Sequence, residues 1–269
     1  MTPLPPLAPH DLRLTVYFGF KILLHGSSMV RIDLAFTPFE LEKKDLQEKT
    51  VVVIDTLRAT STMIVAFENG CSAFIPVSTI EEARRLAEEK KRPDLLLGGE
   101  RGAMPVEGFH LGNSPRNYLP QKVQGKTVVM TTTNGTRALV SARRAAEVFI
   151  GAFLNLSALG QRLKETKRDI LIACSGEKDL FCLEDTVCGG AIVDYLEKSG
   201  LPLLRSDSAM SAKILYEYFE GDIYGMLVAS EWGQYLESIG LGKDVRICAQ
   251  IDSSRLVPVY REGKIFLDR

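Results

Sequence analysis

Several acidic residues follow apolar runs that are typical of buried strands. Asp55 ends the run VVVID, and Glu100 directly follows the run DLLLGG. The neighbours Glu184 and Asp185 come shortly after a third run, DILIAC, at the predicted start of a helix. Carboxylates cannot bind an anion directly, but they are ligands for a hard cation such as Mg²⁺. We therefore predict a Mg²⁺ site formed by Asp55, Glu100, Glu184 and Asp185.

Arginines, hydroxyls and glycine amides accompany these acids. A guanidinium offers a planar fork to phosphate or sulfonate, and unpaired amides at a helix N-terminus favour an oxyanion. The stretch TTTNGTR at 131–137 suits the second role, because Gly135 tolerates the backbone conformations that an amide nest requires. We predict Asp55, Arg58 and Glu100 as the catalytic residues. The predicted substrate-binding residues are Thr60, Ser61, Thr62, Arg101, Asn134, Gly135, Thr136 and Arg137.

Each of these signals also has a purely structural alternative. An aspartate that precedes threonine and serine is often a helix cap, which would account for Asp55 alone. TTTNGT could be a turn followed by a helix cap without a ligand. Glu184 and Asp185 could simply lie at a helix N-terminus, where the helix dipole stabilises acidic side chains. His110, in the loop EGFHLGNSP, could be structural. The joint occurrence of acids, arginines and hydroxyls at four strand ends favours a functional site.

The elements that would position these residues alternate along the chain. Runs such as VVVID, TVVMTT and DILIAC predict strands covered on both faces, and helical patterns such as TIEEARRLAEEKK lie between them. This alternation predicts a layered α/β/α fold with a largely parallel or mixed sheet, in two α/β lobes with a boundary near residue 150. In the last quarter, DSAMSAKILYEYF and SEWGQYLESIG predict helices, and DVRICAQI and LVPVYREGKIFL predict strands.

The composition excludes several classes of partner. The chain has 269 residues and a formal net charge of −1. Proteins that bind nucleic acids or membranes usually have a concentrated basic surface, which this charge balance does not suggest, so we expect neither partner. Five cysteines without a C-x-x-C pair indicate reduced thiols in a cytoplasmic protein. We treat the proline-rich residues 1–28 as an N-terminal extension outside the fold, and residues 29–269 as the catalytic unit.

Six motifs, in this order, resemble the 2-phosphosulfolactate phosphatase family: VIDTLRATST, GGERG, GFHLGNSP, TTTNGTRAL, GAFLN and CSGE…CLEDTVCGG. The resemblance covers roughly residues 30–260. It implies an α/β architecture and Mg²⁺-dependent hydrolysis of (2R)-2-phospho-3-sulfolactate to (2R)-3-sulfolactate and phosphate, which in methanogens is a step toward coenzyme M. It therefore implies a small anionic phosphoester as the substrate. It leaves the oligomeric state open, a homo-oligomer included.

Three residues depart from the pattern of that family. His110 stands where the family loop G-F-D-L-G-N-S-P has an aspartate, Thr56 stands where an aliphatic residue is common, and Ser175 stands where alanine is common. The change at His110 motivates one alternative, a phosphatase of another small phosphorylated hydroxy acid. A further alternative is a non-catalytic binder of organic acids that keeps the anion-binding residues but carries out no hydrolysis.

Overall fold

The computed structural model of the chain describes residues 29–90 and 92–268, so the predicted extension at 1–28 lies outside the described residues. The strands of the described part are β1 (Val30–Ala35), β2 (Thr50–Ile54), β3 (Ala73–Pro76), β4 (Leu95–Arg101), β5 (Met104–Pro105), β6 (Thr127–Thr131), β7 (Glu147–Gly151), β8 (Ile170–Cys174), β9 (Leu203–Arg205), β10 (Pro258–Arg261) and β11 (Lys264–Leu267). Its α-helices are α1 (Pro38–Glu42), α2 (Ala59–Glu68), α3 (Ile80–Lys90), α4 (Pro120–Val123), α5 (Gly135–Ala142), α6 (Leu156–Glu165), α7 (Leu183–Lys198), α8 (Asp207–Phe219), α9 (Ile223–Ala229), α10 (Glu231–Ser238) and α11 (Gly242–Cys248). Within these ranges, none of the helices has the length and apolar character that a bilayer crossing requires.

The strands form one sheet, in the order β5-β4-β6-β3-β11-β10-β7-β2-β8-β1-β9. One group, β7, β2, β8, β1 and β9, pairs in parallel, and so does the group β3, β6 and β4. The antiparallel hairpin of β10 and β11 lies between the two groups, and β5 pairs antiparallel with β4 at one edge. The predicted largely parallel or mixed sheet is confirmed. The division into two lobes near residue 150 stays a prediction.

Strand β2 shows how the sheet is covered on both faces. All five of its residues are buried. Val52 and Ile54 pack into a core to which α6 and α7 contribute, whereas Val51 and Val53 pack into a second core with α2 and α5. Because both faces are covered, the strand is a nearly continuous apolar run, and each fully buried side chain contributes about 1.5–3 kcal/mol. The layered α/β/α arrangement is confirmed.

The segment DVRICAQI, predicted to be a strand, lies largely in helix α11, so that prediction is wrong. Its three β-branched residues favour a strand locally. In the helix, however, Asp244, Val245 and Cys248 are buried together, at a spacing that places them on one helical face. The helices predicted from DSAMSAKILYEYF and SEWGQYLESIG are confirmed as α8 and α10. The predicted C-terminal strands with their turn are confirmed as the hairpin of β10 and β11.

Candidate active site

The carboxyl ends of β2, β4, β6 and β8 present the predicted polar residues at one edge of the sheet. Parallel pairing of β2 with β8 runs to Ile54 and Cys174, so the residues that follow, Asp55 and Ser175, leave the sheet side by side. The pairing of β4 with β6 likewise brings Glu100 next to the residues that follow β6. Open α/β sheets bind their ligands at such strand ends. The described structure therefore gathers the predicted acids where a ligand would be expected.

Asp55 binds the first residue of α2 with one carboxylate oxygen and keeps the other oxygen for other partners. Its Oδ1 accepts a hydrogen bond from the Ala59 amide at 2.9 Å. Within residues 29–90 and 92–268, no hydrogen-bond donor reaches Oδ2. Gly135, the first residue of α5, lies so close that a Cβ there would stand 2.5 Å from Oδ2. The N-cap residue of α2 is Arg58, so Asp55 supports the first turn from outside the cap position and uses only one of its two oxygens.

Burial disfavours the ionised forms of three neighbouring acids, Asp55, Glu184 and Asp185, which together form the acidic cluster of the site. It raises the pKa of Asp55 to about 7; the Ala59 amide opposes this shift, and the neighbouring Glu100 and Glu184 add to it. Burial also raises the pKa of Glu184. It raises the pKa of Asp185 well above the ordinary 3.8, and the charges of Asp55 and Glu184 reinforce the effect. Because like charges in a desolvated site oppose joint ionisation, the cluster favours uptake of protons or of a cation.

Asp185 joins the ends of two neighbouring strands. Its Oδ1 accepts a hydrogen bond from the Thr56 amide at 2.8 Å, after β2. Its Oδ2 accepts from the amides of Ser175 at 3.1 Å and Gly176 at 3.3 Å, after β8. Both oxygens therefore have main-chain partners. The contacts give Asp185 the role of holding the two strand ends together, and its assignment as a metal ligand stays a prediction.

Glu100 has a comparable role on the other side of the cluster. Its Oε1 accepts hydrogen bonds from the Thr133 amide at 2.8 Å and from the Thr133 hydroxyl at 3.0 Å. Its Oε2 accepts from the Ala103 amide at 2.8 Å. The side chain thereby ties the turn after β4 to the loop after β6. Its assignment to catalysis and to metal binding stays a prediction that these contacts do not support.

A small cavity lies at the centre of the acidic cluster. It measures about 10 Å³, close to the volume that a single water or ion occupies, and it is lined by residues that include Asp55, Asn134, Glu177, Glu184 and Asp185. Among the described residues, no three Asp, Glu, His or Cys side chains already form a metal-binding group. Mg²⁺, however, usually binds through one or two carboxylates, completed by water and substrate phosphate. The free Oδ2 of Asp55 and the carboxylate of Glu184, both at this cavity, are donors that fit such a site.

The guanidinium of Arg58 is committed to protein partners. Its Nη1 donates to Asp244 Oδ2 at 2.6 Å, and its Nη2 donates to the Ala103 carbonyl at 2.8 Å. Arg58 and Asp244 are both buried, with 2% and 0% of their side chains exposed. Asp244 also accepts hydrogen bonds from Ser114 and Arg116, both at 2.8 Å. Arg58 thus fastens α11 to the loops after β2 and β4, and its predicted catalytic role stays a prediction.

The other predicted arginines also have protein partners. Arg101 donates to the Glu100 carbonyl at 2.7 Å and to the Thr131 hydroxyl at 3.0 Å. Arg137 lies at the surface, where it forms ion pairs with Asp179 at 2.6 Å and Glu42 at 3.3 Å. In the described structure, the guanidinium groups of Arg101 and Arg137 therefore contact other groups of the protein. Their role in anion binding stays a prediction.

The hydroxyl cluster after Asp55 also faces the main chain. All three hydroxyls are buried and donate to carbonyl oxygens at 2.9 Å: Thr60 to Asp55, Ser61 to Thr56, and Thr62 to Asn113. These bonds shape the turn that carries Asp55 and tie it to the loop GFHLGNSP. The hydroxyls therefore build the site, and direct substrate binding by them stays a prediction.

The TTTNGT loop connects two parts of the site. Thr136 and Thr132 bond reciprocally: each hydroxyl accepts from the other residue's amide, at 3.2 and 3.4 Å. Asn134 donates to Glu177, and its Oδ1 accepts from the Lys178 amide at 3.2 Å. The loop after β8 is therefore attached to the start of α5. Thr132 and Thr136 thus close the turn before α5, whereas the N-cap residue Asn134 makes no side-chain capping bond and lines the small cavity.

A cleft of about 890 Å³ opens directly beside the small cavity. The two share Glu177, Cys182, Glu184 and Trp232 in their walls. A volume of this size lies in the range of ligand sites, about 300–1,000 Å³. The acidic cluster thus has access to a large cleft.

Sequence reasoning missed several residues of the cleft. Trp232 and Tyr235 lie on α10, and no pattern in their segment points to a ligand. Glu177 follows the third apolar run after only Ser175 and Gly176, and it carries the same signal as the predicted acids. His110, in contrast, lines neither the cleft nor the small cavity. Its Nδ1 accepts a hydrogen bond from the Leu97 amide at 2.9 Å, which gives it the structural role that we considered as an alternative.

Comparison with known proteins agrees with the motifs. The sequence model of the family described as 2-phosphosulpholactate phosphatase matches residues 35–263. A probable 2-phosphosulfolactate phosphatase of Symbiobacterium thermophilum is 39% identical over 83% of this chain and 96% of its own length. Proteins with the same description from Caldanaerobacter subterraneus and Thermotoga maritima are 40% and 42% identical, over 83% and 81% of this chain and 92% of their own lengths. The predicted resemblance is confirmed, and this chain belongs to the 2-phosphosulfolactate phosphatase family.

Proposed function

We propose that this protein is a Mg²⁺-dependent phosphatase that hydrolyses (2R)-2-phospho-3-sulfolactate to (2R)-3-sulfolactate and phosphate. The observation that carries the proposal is the position of Asp55 and Glu184 at one ion-sized cavity that opens into the large cleft. The relatives' shared description supports the substrate. In this reaction, water adds to phosphorus, the ester P–O bond breaks, and the sulfolactate oxygen leaves with a proton.

In the proposal, Asp55 Oδ2 and Glu184 hold the ion. Bound Mg²⁺ would neutralise phosphoryl charge, a contribution of several kcal/mol to such reactions. The N-terminus of α5 begins at Gly135, beside Asp55, and its dipole favours a phosphate there. Glu100 and Asp185 position the loops that carry these groups, because their carboxylate oxygens accept hydrogen bonds from main-chain amides. The chain's own residues therefore supply an anion-binding helix end next to a cation-binding acid pair.

The same proposal places the enzyme in the cytoplasm. All five cysteines are free, and four of them are buried, which suits a reducing compartment. The assignment of sulfolactate to coenzyme M biosynthesis rests on the family resemblance and belongs to this proposal.

Phosphate release from 2-phospho-3-sulfolactate, with Mg²⁺ and with EDTA, tests the proposal. We expect release with Mg²⁺ only, and a loss of about 10³-fold in kcat for Asp55→Asn. Asparagine keeps an oxygen that can accept the hydrogen bond from the Ala59 amide, so the variant should fold. Asp45→Asn, at an exposed aspartate outside the site, is the matched control and should keep full activity.

The outcome also separates the alternatives. A higher kcat/KM for 3-phosphoglycerate than for 2-phospho-3-sulfolactate would replace the proposed substrate by another phosphorylated hydroxy acid. If sulfolactate binds in calorimetry and no phosphoester releases phosphate, the protein is a non-catalytic binder of organic acids and not an enzyme. Near-normal activity of Asp55→Asn would remove Asp55 from the mechanism.

A further inference from the structure

The cleft beside the acidic cluster is lined mainly by apolar groups, which the proposed substrate does not require. Sulfolactate carries carboxylate and sulfonate groups, and these favour cations or polar donors. Polar residues such as Lys178 and Thr133 line part of the cleft, but large apolar side chains form another part of its wall: Leu180, Phe181, Leu183, Trp232 and Tyr235. Apolar walls with a few polar groups at one end are typical of sites for organic ligands with a ring or chain. The cleft therefore has a part that the proposed reaction leaves unexplained.

Several of these side chains are exposed without a ligand. Leu180 is 68% exposed, Phe181 is 52% exposed and Tyr235 is 39% exposed. They lie on opposite elements: the first two belong to the loop after β8, and Tyr235 belongs to α10. The ring of Trp232 stacks obliquely beside Tyr235, with centroids 5.0 Å apart. Burial of this apolar surface by a ligand would be favourable.

Both walls are held in place by hydrogen bonds. In the loop after β8, Glu177 and Leu180 exchange two main-chain hydrogen bonds, at 3.1 and 2.9 Å. Helix α10 is capped by Ser230, which accepts from the Gly233 amide at 3.1 Å. The Tyr235 hydroxyl donates to the Gly102 carbonyl at 3.2 Å. A wall fixed in this way loses little conformational freedom when a ligand binds.

The apolar walls continue into the acidic end of the site. Trp232 lines both the cleft and the small cavity, and so does Glu184. A phosphoester with its phosphate at the acidic cluster would therefore extend its organic group along Trp232 toward Phe181. Aromatic rings interact favourably with such side chains, both stacked and edge-on.

We propose that the cleft is a subsite for an aromatic group, and that aryl phosphates are a second class of substrate. The proposal rests on the proposed phosphatase function only for the phosphate end. In the reaction, water adds to phosphorus, the bond from phosphorus to the aryl oxygen breaks, and that oxygen takes a proton from the water. The products are a phenol and inorganic phosphate, and no other reactant is needed.

Trp232 is the one tryptophan of the sequence, so its fluorescence reports on the cleft directly. The binding test compares phenylphosphonate with methylphosphonate, which differ only in the ring and which carry no hydrolysable ester bond. On the full chain with Mg²⁺, we expect phenylphosphonate to change the Trp232 emission with a Kd about 10-fold lower than that of methylphosphonate. Equal affinities would overturn the proposal without any variant.

Phe181→Ala provides the kinetic test, and Phe39→Ala is its matched control. Phe39 is 51% exposed, against 52% for Phe181, and lies outside the cleft. We expect Phe181→Ala to lower kcat/KM for phenyl phosphate about 10-fold and to leave that for 2-phospho-3-sulfolactate unchanged. The control should change neither value.

Three other outcomes have separate meanings. Equal losses for both substrates in Phe181→Ala would overturn the proposal, because the apolar wall would then serve the small substrate itself. Hydrolysis of phenyl phosphate without hydrolysis of 2-phospho-3-sulfolactate would support the aromatic subsite and contradict the proposed function. A wild-type protein that hydrolyses 2-phospho-3-sulfolactate but not phenyl phosphate would support the proposed function and contradict the aromatic subsite.

Discussion

Gly135 and Asp55 lie so close together that a Cβ on the glycine would stand 2.5 Å from Asp55 Oδ2. No real Cβ tolerates such an approach, so Gly135→Ala must displace either the carboxylate or the start of α5. We expect kcat to fall about 10²-fold, since small displacements of reacting groups have effects of that size. Gly221→Ala is the control, because a Cβ at Gly221 meets no atom within 4 Å. Equal activities of the two variants would contradict the role assigned to Gly135.

The raised pKa of Asp55 predicts how stability depends on pH. Its pKa is about 7 in the folded protein and 3.8 ordinarily, so the folded state binds the proton more tightly. The contribution of this proton to the free energy of unfolding is fully present below pH 3.8, and it is lost as the pH rises through about 7. In EDTA, we therefore expect the Tm of the wild type to fall between pH 5 and pH 8, and to fall less for Asp55→Asn.

Mg²⁺ provides the complementary measurement. If the ion binds the ionised cluster, it should raise the Tm at pH 8 more than at pH 5, by mass action on the folded state. Asp55→Asn should reduce this gain. A wild-type Tm that does not respond to Mg²⁺ at pH 8 would argue against the ion site, even if the slope in EDTA is as expected.

The buried ion pair of Arg58 and Asp244 predicts a large loss of stability when one partner is removed. Asp244→Asn would leave the buried guanidinium without its counter-charge, and we expect a destabilisation of about 3–5 kcal/mol in urea unfolding. The exposed pair of Arg85 and Glu89 is the comparison, at 3.9 Å. Glu89→Gln should change stability by no more than about 0.5 kcal/mol. Similar losses for both variants would show that burial does not decide the contribution of the pair.

The neighbours Glu184 and Asp185 should respond differently to neutralisation. Asp185→Asn would place an amide NH₂ against main-chain N–H donors, and we expect a loss of about 1–3 kcal/mol in stability. Glu184→Gln should instead remove activity with little loss of stability. Urea unfolding and phosphate release, measured on both variants, decide between the roles. Loss of activity with unchanged stability for Asp185→Asn would make it a site residue and not a positioning residue.

The acidic part of the site could be predicted because local patterns mark it. A continuous apolar run is typical of a strand covered on both faces, and the acid at its end then belongs to the ligand-binding edge. Asp55, Glu184 and Asn134 do line one cavity. In contrast, the partner of Arg58 is 186 residues away, on a helix that the local pattern predicts as a strand. A contact between residues so far apart in the sequence leaves no local sequence pattern. From the sequence alone, the guanidinium of Arg58 is therefore predicted to be available to bind an anion.

The same limit applies to the cleft. The walls formed by Phe181 and Trp232 come from two segments far apart in the sequence, the loop after β8 and helix α10. Neither segment has a spacing that indicates a ligand. Only the geometry of the folded chain shows that both border on Glu184.

The hairpin of β10 and β11 gives the fold a particular order of assembly on the ribosome. It contains nearly the last residues of the chain, yet it lies between the two parallel groups, with Val259 opposite Phe149 and Ile265 opposite Phe74. Synthesis proceeds from the N-terminus, so β3 and β7 emerge well before the strands that separate them. Until β10 and β11 have been synthesised, β3 and β7 each carry an open strand edge, which is a site for aggregation in nascent chains. A chain stalled shortly before residue 258 would therefore contain the site residues but hold two separate groups of strands instead of one continuous sheet.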